Sequence, residues 1–110
     1  MAFKAGMVIM APEADPKLHA ASIKTPKLEL IIVAVESGNL DQAIEVCKNL
    51  VQNAGVQSLS LCPGFSHEAV ARVASAVGPG IAINVSRGDV RSVLITREIL
   101  KQEGWSSKKQ

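Results

Sequence analysis

Leu59-Ser-Leu-Cys-Pro-Gly-Phe-Ser-His-Glu-Ala-Val70 decides how this chain folds. The alternation Ser58-Leu59-Ser60-Leu61 reads as a β-strand with one less-buried face. Pro63-Gly64 makes a tight turn. Ser66 then caps a helix whose apolar stripe is Val70, Val73, Ala74 and Val77. Strand, turn and capped helix in that order are the repeating piece of an α/β sheet.

Working outward, the pattern recurs on both sides. Residues 27–36 are dense in β-branched side chains and are predicted as the central strand. Asn39 caps the next helix, with Gln42 three residues on as in a capping box. Its stripe is Leu40, Ala43, Ile44, Cys47, Leu50, Val51 and Ala54, and Gly55 ends it. Downstream, Gly78-Pro79 stops the second helix and residues 80–85 form another strand. Asp89 caps a last helix carrying Val93, Leu94, Ile95, Ile99 and Leu100, although residues 90–96 also read as β. At the start, residues 3–11 are a near-continuous apolar run, as in a strand buried on both faces. Asp15-Pro16 is a helix start, and Thr25-Pro26 returns the chain to extended backbone, so only one or two helical turns fit between.

The order is therefore β-(short α)-β-α-β-α-β-α. It predicts an α/β fold: a small, mainly parallel four-stranded sheet with helices packed on it. The short first connection leaves a mixed or ferredoxin-like α+β sheet as the alternative, with the first strand antiparallel. At 110 residues the chain is read as one domain, residues 1–105, with a disordered tail at 106–110. So small a sheet exposes edges and helix faces, which predicts a homo-oligomer.

Composition narrows the function. Aromatic residues make up 3% of the chain and tyrosine is absent, so there is no platform for stacking bases. The net charge is +2 with acids and bases interleaved, which gives no footprint for nucleic acid or an acidic membrane. The apolar start is too short for a secretory signal or a membrane span. Cys47 and Cys62 form no disulfide framework and fit a reducing compartment, so a cytoplasmic location is expected.

Ligands of parallel sheets collect at the carboxyl ends of the strands. Those ends carry Glu13 and Asp15, then Glu36 and Ser37, then the residues from Cys62 to His67, then Ser86, Arg87 and Asp89. Cys62 sits before a helix start, where a thiol pKa falls, and His67 or His19 can serve as its base. The same position suits a small buried hydrophobe. Gly64, Phe65 and Ser66 precede free backbone N–H groups that can hold an anion, and Ser66 is equally explained as an N-cap. Arg87 offers a fork of donors to a carboxylate or phosphate, or pairs with Asp89 or Glu36 on the surface. Glu13 and Glu36 can do acid–base work if they converge. No pair of residues has a metal-ligand spacing, and neither a metal nor another cofactor is expected. The Arg-Gly-Asp run at 87–89 is discounted as an adhesion motif.

Several motifs together resemble a family of roughly hundred-residue α/β proteins of unknown function from bacteria and archaea. They are residues 11–19, Thr25-Pro26 leading into Glu29-Leu-Ile-Ile-Val, Gly55-Val56, Leu61-Cys-Pro-Gly-Phe-Ser66 and Val85-Ser-Arg-Gly-Asp89. The resemblance covers about residues 3 to 90. It implies an α/β fold and marks Asp15, His19, Glu36, Cys62, Phe65 and Arg87 by motif position. Three readings stand open. One is an oligomeric protein binding a small anionic metabolite through Glu13, Asp15, Gly64, Phe65, Ser66, Arg87 and Asp89. The second is a small enzyme using Cys62 or a carboxylate paired with His19 or His67. The third is a non-catalytic structural or interaction module.

Overall fold

The structure, a computed structural model, describes residues 1–105. Its elements are β1 (Phe3–Ala11), β2 (Ala20–Thr25), β3 (Leu28–Glu36), α1 (Leu40–Gln52), β4 (Ser58–Leu61), α2 (His67–Val77), β5 (Ala82–Val85) and α3 (Val90–Gln102). They build one mixed sheet in the order β2-β3-β1-β4-β5. β1 runs parallel to both β3 and β4, and β4 runs parallel to β5. The α/β class and the mainly parallel sheet match the expectation. The predicted tail at 106–110 lies outside the described residues.

Two expectations about the sheet are corrected. The sheet has five strands among the described residues, because 20–25 is a strand and not the tail of a short helix. Asp15 does start a turn, with its carbonyl accepting from the Leu18 and His19 N–H groups at 2.9 and 2.8 Å. That turn never propagates. β2 instead pairs antiparallel with β3, from Thr25 opposite Leu28 to Ala20 opposite Val33. Tertiary pairing with a strongly apolar neighbour overrides the helical preference of Ala20, Ala21 and Lys24. Second, the central strand is β1, not residues 27–36, and the antiparallel member is β2, not β1. Residues 90–96 are helical, as the Asp89 cap predicts and not as the alternative β reading has it, with the Asp89 carboxylate accepting from the Ser92 N–H at 2.7 Å.

The core lies on one face of the sheet. Val8, Val33, Val35, Leu59 and Leu61 point into it and meet Ala43, Cys47 and Leu50 of α1 and Ala69 and Val73 of α2. The crossovers β3-α1-β4 and β4-α2-β5 both travel in one direction across the sheet. Right-handed connections therefore place both helices on the same face. Each large side chain buried there contributes about 1.5–3 kcal/mol. The ion pairs Lys24–Glu29, Lys48–Glu45 and Arg72–Asp41 span 3.7–3.9 Å between largely solvated side chains and contribute far less. Burial of one sheet face, not surface charge, holds the fold together. The two-faced burial expected of β1 is not observed: Phe3 and Met7 on its other face remain exposed.

Candidate functional site

The chain leaves the carboxyl end of β1 toward β3, on one side. It leaves the carboxyl end of β4 toward β5, on the other side. The loops thus diverge where β1 and β4 lie together, and that divergence opens a crevice. One hydrogen bond crosses its floor, from the Met10 N–H to the Cys62 sulfur at 3.3 Å.

The crevice encloses about 590 Å³. The sheet side supplies Met10, Ser37, Cys62, Pro63 and Gly64. The opposite wall is α3, with Ser92, Val93, Thr96, Arg97 and Leu100, followed by Trp105. Those five helix positions recur at helical spacing and share one face. The lining is mostly apolar, and Arg97 is its only charged residue. No ion pair occupies Arg97 among the described residues.

Local sequence explains the two walls. Ser66 accepts from the Ala69 N–H at 3.1 Å, capping α2 and fixing where the 62–66 turn ends. Arg87 clasps that turn from outside, donating from Nη1 to the Pro63 carbonyl at 3.0 Å and from Nη2 to the Phe65 carbonyl at 2.7 Å. Phe65 itself is fully buried in the core. At the other wall, Gly104 takes φ +84°, which side-chain-bearing residues adopt only with strain. The Gly104 N–H then reaches the Lys101 carbonyl at 3.2 Å, and the Trp105 N–H reaches Leu100 at 2.8 Å. This paired closure of a helix end folds Trp105 back beside Leu100 at the crevice.

The residues marked by sequence divide into two sets. Cys62 and Gly64, with Ser37 and Pro63 of the same strand ends, line the crevice. The others lie elsewhere. Both Glu36 carboxylate oxygens accept from the Glu13 N–H at 3.1 Å, which steadies Glu13 at a φ of +65°. Glu13 and Glu36 therefore meet through backbone and carboxylate, not as a carboxyl pair. His19 Nδ1 accepts from the Asp15 N–H at 2.9 Å, and Asp15 accepts from the Lys17 N–H at 3.0 Å. His67 opens α2 on the exposed surface. No hydrogen bond joins Cys62 to His19 or His67 among the described residues. Asp89 caps α3, and hydrogen bonds from the Ser92 backbone and then its side chain hold its carboxyl below the usual value. Cys47 is buried, which pushes its thiol up to about 11.

Sequence reading missed Arg97, Thr96, Leu100 and Trp105 as lining residues, and Met10 both packs against the core and lines the crevice. The Gly104-Trp105 pair after Lys101 is the signal that marks a folded-back helix end. Among the described residues there is no group of three or more His, Cys, Asp or Glu side chains able to hold a metal ion. No helix among them is long and apolar enough to cross a membrane.

Fold and crevice together define a small α/β protein with one covered sheet face and an opening of about 590 Å³ where its strand order reverses. The chain belongs to DUF6506, a family of unknown function, which it matches over residues 3–101. That range takes in most of α3, beyond the 3–90 span of the motifs. No curated protein matches the chain.

Proposed function

We propose that this protein binds a small organic anion with an apolar body, such as a branched or aromatic carboxylate, in the crevice between β1, β4 and α3. The observation that carries this reading is Arg97 as the single charge in a mostly apolar lining. A guanidinium there pairs with a carboxylate in fork geometry. Met10, Val93, Leu100 and Trp105 offer the apolar surface, and Ser37, Ser92 and Thr96 offer hydroxyls that fix orientation. A volume of about 590 Å³ suits a ligand of metabolite size. Arg87, which sequence reading favoured as the anion partner, supports the site by holding its turn.

Binding without catalysis is favoured over a cysteine enzyme. Cys62 faces the crevice, but its hydrogen-bond partner is a backbone N–H and not a base. A thermal-shift panel of carboxylates, phosphates and their uncharged amides tests the reading. Carboxylates with apolar bodies raise the melting temperature, and Arg97→Gln removes the rise. A panel in which no anion stabilises the protein refutes it.

A further inference from the structure

The second face of the sheet is bare. Side chains alternate along strands, so the residues between those of the core point the other way. On β1, β3 and β2 they include Phe3, Met7, Leu28, Leu30, Ile32 and Ile23. The register places them side by side: Phe3 is opposite Leu28, Met7 opposite Ile32, and Ile23 opposite Leu30. Phe3 and Ile23 are each 51% exposed and Met7 37%, as large apolar side chains seldom are together. The bareness follows from topology. β1 to β3 is the one parallel step taken in the opposite direction, so a right-handed helix there would cover this face. The chain instead spends that connection on β2, in the plane of the sheet. No helix among the described residues packs on this face.

We infer that the bare face is a homodimer interface, in which the β2-β3-β1 surface of one copy packs on the same surface of a second copy across a two-fold axis. Three observations select that occupant. Size is the first. Three strands of up to nine residues give an apolar area of about 14 by 30 Å, at the upper end of what monomers leave open. The four-residue strands β4 and β5 extend the face to about 550 Å², within reach of a small interface though below the roughly 800 Å² per partner of a standard one. Anatomy is the second. Ser58, Ser60 and Asn84 on the adjoining strands form a polar margin, with the Asn84 amide donating to the Ser58 hydroxyl at 3.3 Å. Charge is the third. The alternating positions from Phe3 to Ile9, Leu28 to Ala34 and Ala21 to Thr25 carry no ionisable group, so like meets like without repulsion. Residues 106–110, Ser-Ser-Lys-Lys-Gln, contain no apolar side chain and do not suit this surface. The proposal is independent of the crevice, which lies at the strand ends.

The test is the mass of the full chain in solution by sedimentation equilibrium, with melting followed across protein concentrations. The expected wild type has twice the 11.6 kDa chain mass, and its melting temperature rises with concentration. Met7→Lys and Ile23→Lys, which leave the core face untouched, shift the mass to that of a monomer while far-ultraviolet dichroism keeps its helical signal. A wild type that is monomeric at micromolar concentration with a concentration-independent melt overturns the inference without any variant. So does a Met7→Lys or Ile23→Lys chain that keeps the dimer mass. A dimer split by Leu94→Glu and Ile99→Glu, but not by the sheet variants, moves the interface to the exposed side of α3 and overturns it as well.

Discussion

The Arg87 guanidinium holds the Phe65 carbonyl at 2.7 Å while the Phe65 ring is fully buried in the core. One residue thus ties the turn down from within and the other from outside. The second arm of the fork reaches the Pro63 carbonyl at 3.0 Å, so both ends of the turn are fixed relative to β5. The crevice floor at Cys62 and Gly64 inherits its shape from that clasp.

Arg87→Ala is expected to lower stability by about 1–2 kcal/mol, because two charge-assisted bonds are lost at a partly solvated site. Arg87→Lys restores little of it, since one ammonium lacks the fork that spans both carbonyls. Urea melts of the two variants measure this. Equal stability of Arg87→Lys and wild type would show that charge alone, not geometry, holds the turn.

Cys47 makes the fold sensitive to alkali. Its thiol titrates near 9.0 when unfolded, and burial pushes it up to about 11 in the fold. A raised folded pKa gives stability that is complete below pH 9 and is lost as pH climbs toward 11. The loss amounts to about 2–3 kcal/mol by the far end of that window. Cys47→Ala flattens this part of the pH–stability curve. Alkylation at neutral pH marks Cys62 first and reaches Cys47 only on unfolding.

Gly6 sits where the core has no room for a side chain. A Cβ there would lie 3.1 Å from Leu59 Cδ2 and 3.3 Å from both Leu50 Cδ1 and Val56 Cγ1. Gly6→Ala is expected to cost about 1–3 kcal/mol through overpacking. Leu50→Ala, made in the same chain, relieves one of the three contacts, and a double-mutant cycle should show positive coupling.

How much of this was legible in the sequence depends on whether the cause was local. The residues 3–11 run marks β1 to the residue, and Asn39 caps α1 as expected, accepting from the Gln42 N–H at 3.0 Å. Only half of the capping box forms, because Gln42 Oε1 accepts from the Glu36 N–H at 2.7 Å instead. Ser66 and Asp89 cap their helices in place. What stayed hidden was set by partners distant in sequence. Ala20 to Thr25 become a strand only beside β3. The near-continuous apolar run of β1 reads as burial on both faces, yet no helix among the described residues reaches the second face. The site was legible as an edge and not as a set of residues. The carboxyl ends hold the crevice, but its far wall comes from α3, whose apolar residues carry no mark of which side they will line.

The most direct test uses Trp105, the only tryptophan in the chain, which lines the crevice beside Leu100. Titrating the protein with a small aromatic or branched carboxylate and following Trp105 emission reads occupancy at the site itself. The account predicts a saturable change in the wild type, weakened by about tenfold or more in Arg97→Gln, a loss of about 1.4 kcal/mol. It also predicts weaker binding of the matching uncharged amide. No saturable change, or equal affinity for acid and amide in wild type and Arg97→Gln alike, would contradict it.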